Sequence, residues 1–235
     1  MSGTHPEITK LLRAAASELK LSLTQRQLEQ LATHFALLLR WNPKINLTSL
    51  RRPEEIATRH FEESLFLLKV IPCTPGLLVD VGSGAGFPGL PLKIACPSLS
   101  TVLLESNHKK AAFLKEVVRS CKLEGVEVRT ERLEDAVGAA LSLPPEESGS
   151  GSALSEGLHG DLTARASLVT LRAVKTSREL LSNLAKLLAP HGQLALFLGT
   201  NDATSIAATP GFQWSAPSPI PHSDRRVILL GRHAA

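Results

Sequence analysis

Over residues 1–70, apolar side chains recur at three- and four-residue intervals. From Leu77 onward they gather instead into short blocks separated by glycine, proline and polar clusters. The first pattern predicts amphipathic helices, and the second predicts buried strands alternating with helices. Residues 6–20 read as a first helix. Thr24 and Gln27 form a capping box, after which Leu28, Leu31, Phe35, Leu38 and Leu39 mark a second helix ending near Trp41-Asn42-Pro43. Pro53, followed by Glu54 and Glu55, opens a helix that runs towards Val70. Strands are predicted over 77–81, 101–105, 126–130, 167–172 and 193–198, with a final antiparallel pair near 211–215 and 225–231. Helices are predicted over 89–96, 107–121, 133–141 and 175–189. This alternation predicts an α/β fold: an open, mostly parallel sheet of seven strands in residues 71–235, preceded by a helical extension over 1–70. Residues 143–165 contain Pro144-Pro145 and Gly149-Ser-Gly151 and read as a flexible insertion.

The candidate chemistry lies at the first strand. Leu77 to Val81 is an apolar run that fits a parallel strand covered on both faces. Gly82, Gly84 and Gly86 then allow a sharp turn and a close backbone approach to a ligand. Glu105 closes the second strand, where a carboxylate can accept hydrogen bonds from both hydroxyls of a ribose. Gly84-Ala-Gly86-Phe-Pro-Gly89 formally satisfies the dinucleotide pattern. However, Pro88 and Pro91 remove amide donors that a pyrophosphate needs at a helix start. An anionic Asp80 beside the turn also suits a cationic ligand better. S-adenosylmethionine, with a sulfonium and an ammonium, is the favoured cofactor. A dinucleotide, or a glycine turn that binds nothing, remains as an alternative.

Composition narrows the partners. The chain has 235 residues, of which 43% are hydrophobic and 20% charged, as in ordinary globular proteins. No signal peptide or membrane-length apolar run is evident, so a cytoplasmic location without membrane contact is expected. Cys73, Cys96 and Cys121 form no CxxC pair and read as buried reduced thiols. No motif suggests a metal. Net charge is +3 over residues 1–70, −4 over 71–164 and +5 over 165–235. Basic flanks around an acidic middle suit an anionic substrate, although solvated surface charge gives the same count. Aromatic residues make up 4% and tyrosine is absent, which argues against a stacking platform for single-stranded RNA.

Trp41-Asn42, Asn46-Leu47-Thr48, Arg59-His60 and Glu63-Ser64 form a dense polar signature ahead of the glycine turn. Taken singly, they read as a core anchor, caps or turn residues, and a solvated helix face. Together with Asp80-Val-Gly-Ser-Gly-Ala-Gly-Phe-Pro-Gly-Leu-Pro-Leu92, they resemble the bacterial 16S ribosomal RNA guanine-N7 methyltransferase family, also called glucose-inhibited division protein B. The resemblance covers residues 25–232 and implies a Rossmann-like class I S-adenosylmethionine-dependent methyltransferase sheet. It implies methylation of guanine N7 in the 530 loop of 16S ribosomal RNA, as free RNA or in the 30S subunit, by a protein expected to act as a monomer. Gly82 and Phe87 match cofactor contacts, Glu105 matches the ribose-binding acid, and Leu133-Glu134 match the adenine side. Arg172, in Leu171-Arg172-Ala173, matches the family's strand-end arginine and is the catalytic candidate. Arg225 matches a basic residue entering the last strand. Asn46, Arg59, His60, Lys175 and Arg225 are the candidate substrate contacts. Two positions depart from the family pattern. Ser167 stands where an acid is frequent, and Leu198 stands where a lysine is usual.

Guanine N7 carries a lone pair and no proton, so its methylation needs no general base. The implied mechanism is alignment of N7 with the sulfonium methyl, where orientation alone supplies about 7–11 kcal/mol. Two other readings remain open: an inactive methyltransferase fold that serves ribosome assembly as a binding module, and a small-molecule methyltransferase.

Overall fold

A computed structural model describes residues 6–137, 160–172 and 177–233. Helix α1 (Pro6–Glu18) and helix α2 (Gln25–Ile45) open the chain. The Thr24 hydroxyl and the Gln27 side chain cap α2 reciprocally, as predicted. Gln27 Nε2 also donates to the carbonyls of Ile94 and Ala95, both at 3.0 Å. Helix α2 does not stop at Trp41-Asn42-Pro43. It continues to Ile45 and ends at Asn46, whose φ of 51° is left-handed. Pro43 lies within the last turn, and Asn42 turns inward to exchange two 2.9 Å hydrogen bonds with the Thr48 backbone.

The helix predicted from Pro53 to Val70 is interrupted. Helix α3 (Pro53–Ile56) passes into a π-helical turn (Ala57–Glu62) and then into helix α4 (Glu63–Val70). The wider turn rotates the side chains that follow it, a device common at functional sites.

The α/β part runs β1 (Gly76–Val81), α5 (Gly89–Ala95), β2 (Leu99–Leu104), α6 (His108–Ser120), β3 (Val126–Arg129), α7 (Leu133–Ala136) and β4 (Ala166–Arg172). It continues with α8 (Arg178–Leu187), β5 (Leu188–Gly199), α9 (Thr200–Ala207), β6 (Phe212–Trp214), β7 (Ser218–Pro219) and β8 (Arg226–His233). The sheet order is β3-β2-β1-β4-β5-β8-β6, with β7 paired beside β8. Strands β1 to β5 are mutually parallel, and β8 is antiparallel to β5 and β6. Among the described residues the sheet thus has eight strands rather than seven; the extra one is only two residues long and leaves no alternating pattern. Strand β5 starts at Leu188 and absorbs the end of the helix predicted over 175–189. Helix α9 was not anticipated, because its Thr-Asn-Asp start favours caps and turns and it buries only Ala203 and Ile206.

Strand alternation sends side chains to opposite faces. Val79 and Val81 join Leu133, Leu181, Leu184 and Ile206 on one face. Leu78 joins Leu67, Leu92, Phe197 and Ile228 in a separate cluster. Leu12, Leu28, Phe35 and Phe61 of the helical extension share a third cluster with Leu90, Leu103, Phe113 and Leu114 of the α/β part. Residues 143–159 of the expected insertion lie outside the described residues. Its end is tied down: Leu162 is buried, and the amides of Ala164 and Arg165 donate to the carbonyls of Lys186 and Leu187.

Cys73 and Cys96 correct the expectation of three reduced thiols. Their Cα atoms are 6.0 Å apart, within disulfide reach, and their sulfurs are bonded. Sequence spacing alone could not show that the start of β1 meets the end of α5. Cys121 is free and buried, with its thiol pushed up to about 12 by burial.

Candidate functional site

Strand β1 pairs with β2 on one side and β4 on the other, so the chain turns in opposite directions from the middle of the sheet. Open α/β sheets hold ligands above the strand ends at such a point. Gly82, Gly84 and Gly86 turn the chain there with φ of 67°, 55° and 85°. Gly82 is exposed and Gly84 half-buried, which presents bare backbone to solvent. Gly86 is buried, and a Cβ there would lie 2.3 Å from Leu90 Cδ1. Glu105, just beyond β2 and 7% exposed, ties the turn to the next strand. Its Oε2 accepts the Gly84 amide at 2.8 Å and its Oε1 accepts the Asn107 amide at 2.8 Å.

Asp80 does not face the crevice as expected. It is 1% exposed, and its carboxylate accepts from Thr170 Oγ1 at 2.6 Å and from the Gly89 amide at 3.2 Å. Burial raises its pKa to about 6 against these opposing hydrogen bonds. Because Asp80 takes the Gly89 amide and the Gly86 carbonyl takes that of Leu90, while Pro91 has none, the start of α5 offers no donors to a pyrophosphate.

The end of β4 carries a second constellation. Arg172, with a side chain 14% exposed, approaches Glu63 Oε2 at 3.2 Å through Nη2. The same nitrogen donates to the Arg59 carbonyl and meets His60 Nδ1 at 3.3 Å. Arginine only donates, so His60 Nδ1 accepts and its Nε2–H donates to Thr48 Oγ1 at 2.7 Å. Burial, with the Arg172 charge next, pushes His60 down to about 3. His60 therefore stays neutral. Its ring stacks on Phe87 at 4.6 Å, and His34 stacks on Phe87 at 4.8 Å. The Phe87 side chain is thus buried among rings, leaving its backbone as the part near the turn.

The chain matches the family described as GidB, rRNA small subunit methyltransferase G, over residues 27–213. It belongs to this family. A ribosomal RNA small subunit methyltransferase G of Roseiflexus castenholzii is 51% identical over 125 residues, covering 53% of this chain and 53% of the relative. One of Xylella fastidiosa strain M23 is 44% identical over 139 residues, covering 58% of this chain and 64% of the relative. The chain thus spans about half to two thirds of the length of the curated relatives it matches. In fold it is similar to a SAM dependent methyltransferase from Aquifex aeolicus, with a TM-score of 0.56, 13% identity, and coverage of 79% of this chain and 95% of that one.

Within this GidB-family chain the remaining candidates scatter. Leu133 is buried in the core at the start of α7, and Glu134 beside it is exposed. Asn46 is an exposed helix cap, and Arg59 is half exposed, with Nε 3.8 Å from Glu63. Lys175 lies outside the described residues. Arg225 is exposed and separate from the Arg172 constellation; its neighbour Arg226 donates to Glu63 Oε2 at 2.7 Å instead. Glu63, Arg226, Thr48, His34 and Thr170 were missed as parts of the site. Only the density of polar residues from Trp41 to Ser64 pointed to the first and third of them. Leu198 is buried against the sheet core opposite Val227, and Ser167 binds the Leu77 carbonyl at 3.0 Å near the start of β4, at the other end of the strand from Arg172. Among the described residues no cluster could hold a metal, and no helix is long and apolar enough to cross a membrane.

Proposed function

We propose that this protein transfers the methyl group of S-adenosylmethionine to N7 of a guanine in the 530 loop of 16S ribosomal RNA. Family membership over most of the chain supports the reaction class. The observation that carries the cofactor is the meeting of the glycine turn with Glu105 above the strand ends. Each Glu105 oxygen accepts one amide and keeps acceptor capacity for a ribose hydroxyl. The accessible Gly82 and Gly84 backbone supplies the floor, Phe87 contributes its backbone, and Leu133 and Glu134 border the adenine side. When bound, the cofactor supplies an electrophilic methyl group on a sulfonium.

The protein's own part is to bind, orient and exclude water, because N7 has no proton to remove. Arg172 offers a guanidinium to a cofactor carboxylate or an RNA phosphate. Asp80 holds the turn from beneath by anchoring Gly89 and Thr170. Asn46, Arg59 and Arg225 are exposed and available to RNA, with Lys175 on the segment following Arg172. His60 acts inside the site, holding Arg172 against Phe87. The protein works in the cytoplasm as a monomer on free 16S RNA or the 30S subunit.

Titration calorimetry with S-adenosylmethionine tests the cofactor: wild type binds, and Glu105→Ala weakens binding by about tenfold or more, the worth of its ribose hydrogen bonds. Incubation of 30S subunits and naked 16S RNA with labelled cofactor tests the substrate. Label mapping to guanine N7 in that loop is the expected result. Label confined to small metabolites would overturn the RNA assignment.

A further inference from the structure

Three guanidinium groups from separate parts of the chain converge on Glu63. This residue opens α4 directly after the π turn, and its side chain is 3% exposed. Arg172 from the end of β4 lies 3.2 Å from its Oε2. Arg226 from the start of β8 donates to the same oxygen at 2.7 Å and contacts Oε1 through its other terminal nitrogen. Arg59, within the π turn, lies 3.8 Å from Oε1. A buried carboxylate is costly unless paired and hydrogen-bonded, and here the pairing is with three cations. Among the described residues, the hydrogen bonds of Arg172 run through Nη2, to Glu63, His60 and the Arg59 carbonyl. Its Nη1 is buried with no partner among the described residues. An unpaired guanidinium donor costs free energy unless something uses it.

We infer that Glu63 is the positioning residue for Arg172: it fixes Nη2 against the π turn and so keeps Nη1 available as a donor to an anionic oxygen of the bound reactants. The π turn contributes by presenting the Arg59 carbonyl and His60, with Glu63 directly after them, to the same guanidinium. The inference rests on the reading of this crevice as a methyltransferase site, and it deepens that reading. The anionic oxygen has two possible sources, the carboxylate of the cofactor and a phosphate of the RNA.

The test compares wild type with Glu63→Gln and Glu63→Asp in the full chain. Isotope-edited NMR of the guanidinium groups, with Arg172 assigned by the signal lost in Arg172→Lys, reads positioning without activity. A resolved Arg172 signal in wild type should collapse to an averaged one in Glu63→Gln. S-adenosylmethionine affinity weakened by about tenfold would place the oxygen on the cofactor, and an unchanged affinity with KM for 30S subunits raised by about tenfold would place it on RNA, either being the worth of one charge-assisted hydrogen bond. Glu63→Asp keeps the charge and should recover part of the loss; it carries the test if the glutamine variant fails to fold. A scaffold role alone would lower the melting temperature while leaving the Arg172 signal, the cofactor affinity and KM in place, and that result overturns the inference. If wild type methylates no RNA, the proposed function falls, while the NMR arm still decides whether Glu63 holds Arg172.

Discussion

At the scale of the residue, the two histidines flanking Phe87 set a dependence on acid. Burial pushes His34 down to about 4 and His60 to about 3, against an ordinary value of 6.5. Both are neutral in the folded chain, so the stability they contribute is fully present above pH 6.5. It is lost as the pH falls and the unfolded chain takes up protons that the folded one refuses. Asp80, raised to about 6, works in the opposite sense: its stabilisation is full below its ordinary 3.8 and is lost as the pH rises through 6. Changing one histidine separates these effects. His34→Gln can still donate to the Ala85 carbonyl, now met by Nε2 at 2.8 Å, but it cannot titrate. Urea unfolding between pH 6.5 and 4 should show a pH slope shallower than wild type by up to about 1.4 kcal/mol per pH unit, the worth of one proton. Arg172→Ala should reduce methyl transfer by about 100-fold through lost orientation, measured with labelled cofactor. The variant should remain folded by circular dichroism, since Glu63 keeps Arg226 and Arg59. The residue types at the glycine turn and at Glu105 were readable because few other residues allow those backbone angles or end a strand with an acid. The direction of Asp80, the burial of Phe87 and the pairing of Arg226 with Glu63 were hidden, because each depends on which way a side chain points once strands pair.

At the scale of the element, β1, the turn and α5 act as one unit. Gly86 combines φ of 85° with a would-be Cβ 2.3 Å from Leu90 Cδ1 and 3.2 Å from Leu114 Cδ2. Gly86→Ala should therefore destabilise the protein by about 1–3 kcal/mol, measured by denaturant unfolding, and weaken cofactor binding in calorimetry. Strong periodicity made α1, α2, α6 and the parallel strands legible in the sequence. Elements escaped where the signal was weak or contradicted. Helix α9 begins with residues that favour turns, β7 is two residues long, and α2 carries a proline through its last turn. The π turn is invisible in a hydrophobic pattern, since one widened turn barely disturbs a repeat of 3.6.

At the scale of the whole molecule, the helical extension and the α/β part bury a common core. Phe35 and Phe61 lie in the same cluster as Leu90, Phe113 and Leu114. Removing residues 1–45 should expose that face, giving a chain that binds a hydrophobic dye and loses cooperative unfolding. Charge along the sequence pointed to an anionic partner but could not show that a single acid, Glu63, gathers arginines from the extension and from two strands. Gln27 adds a mechanical corollary. Its amide closes the C-terminal carbonyls of the helix whose other end holds the glycine turn. Detachment of the extension uncaps that helix at the same moment, so α2 and α5 form one opening unit. Hydrogen exchange should release their amides together, with a shared free energy, and any partner that grips the extension thereby gains leverage on the glycine turn.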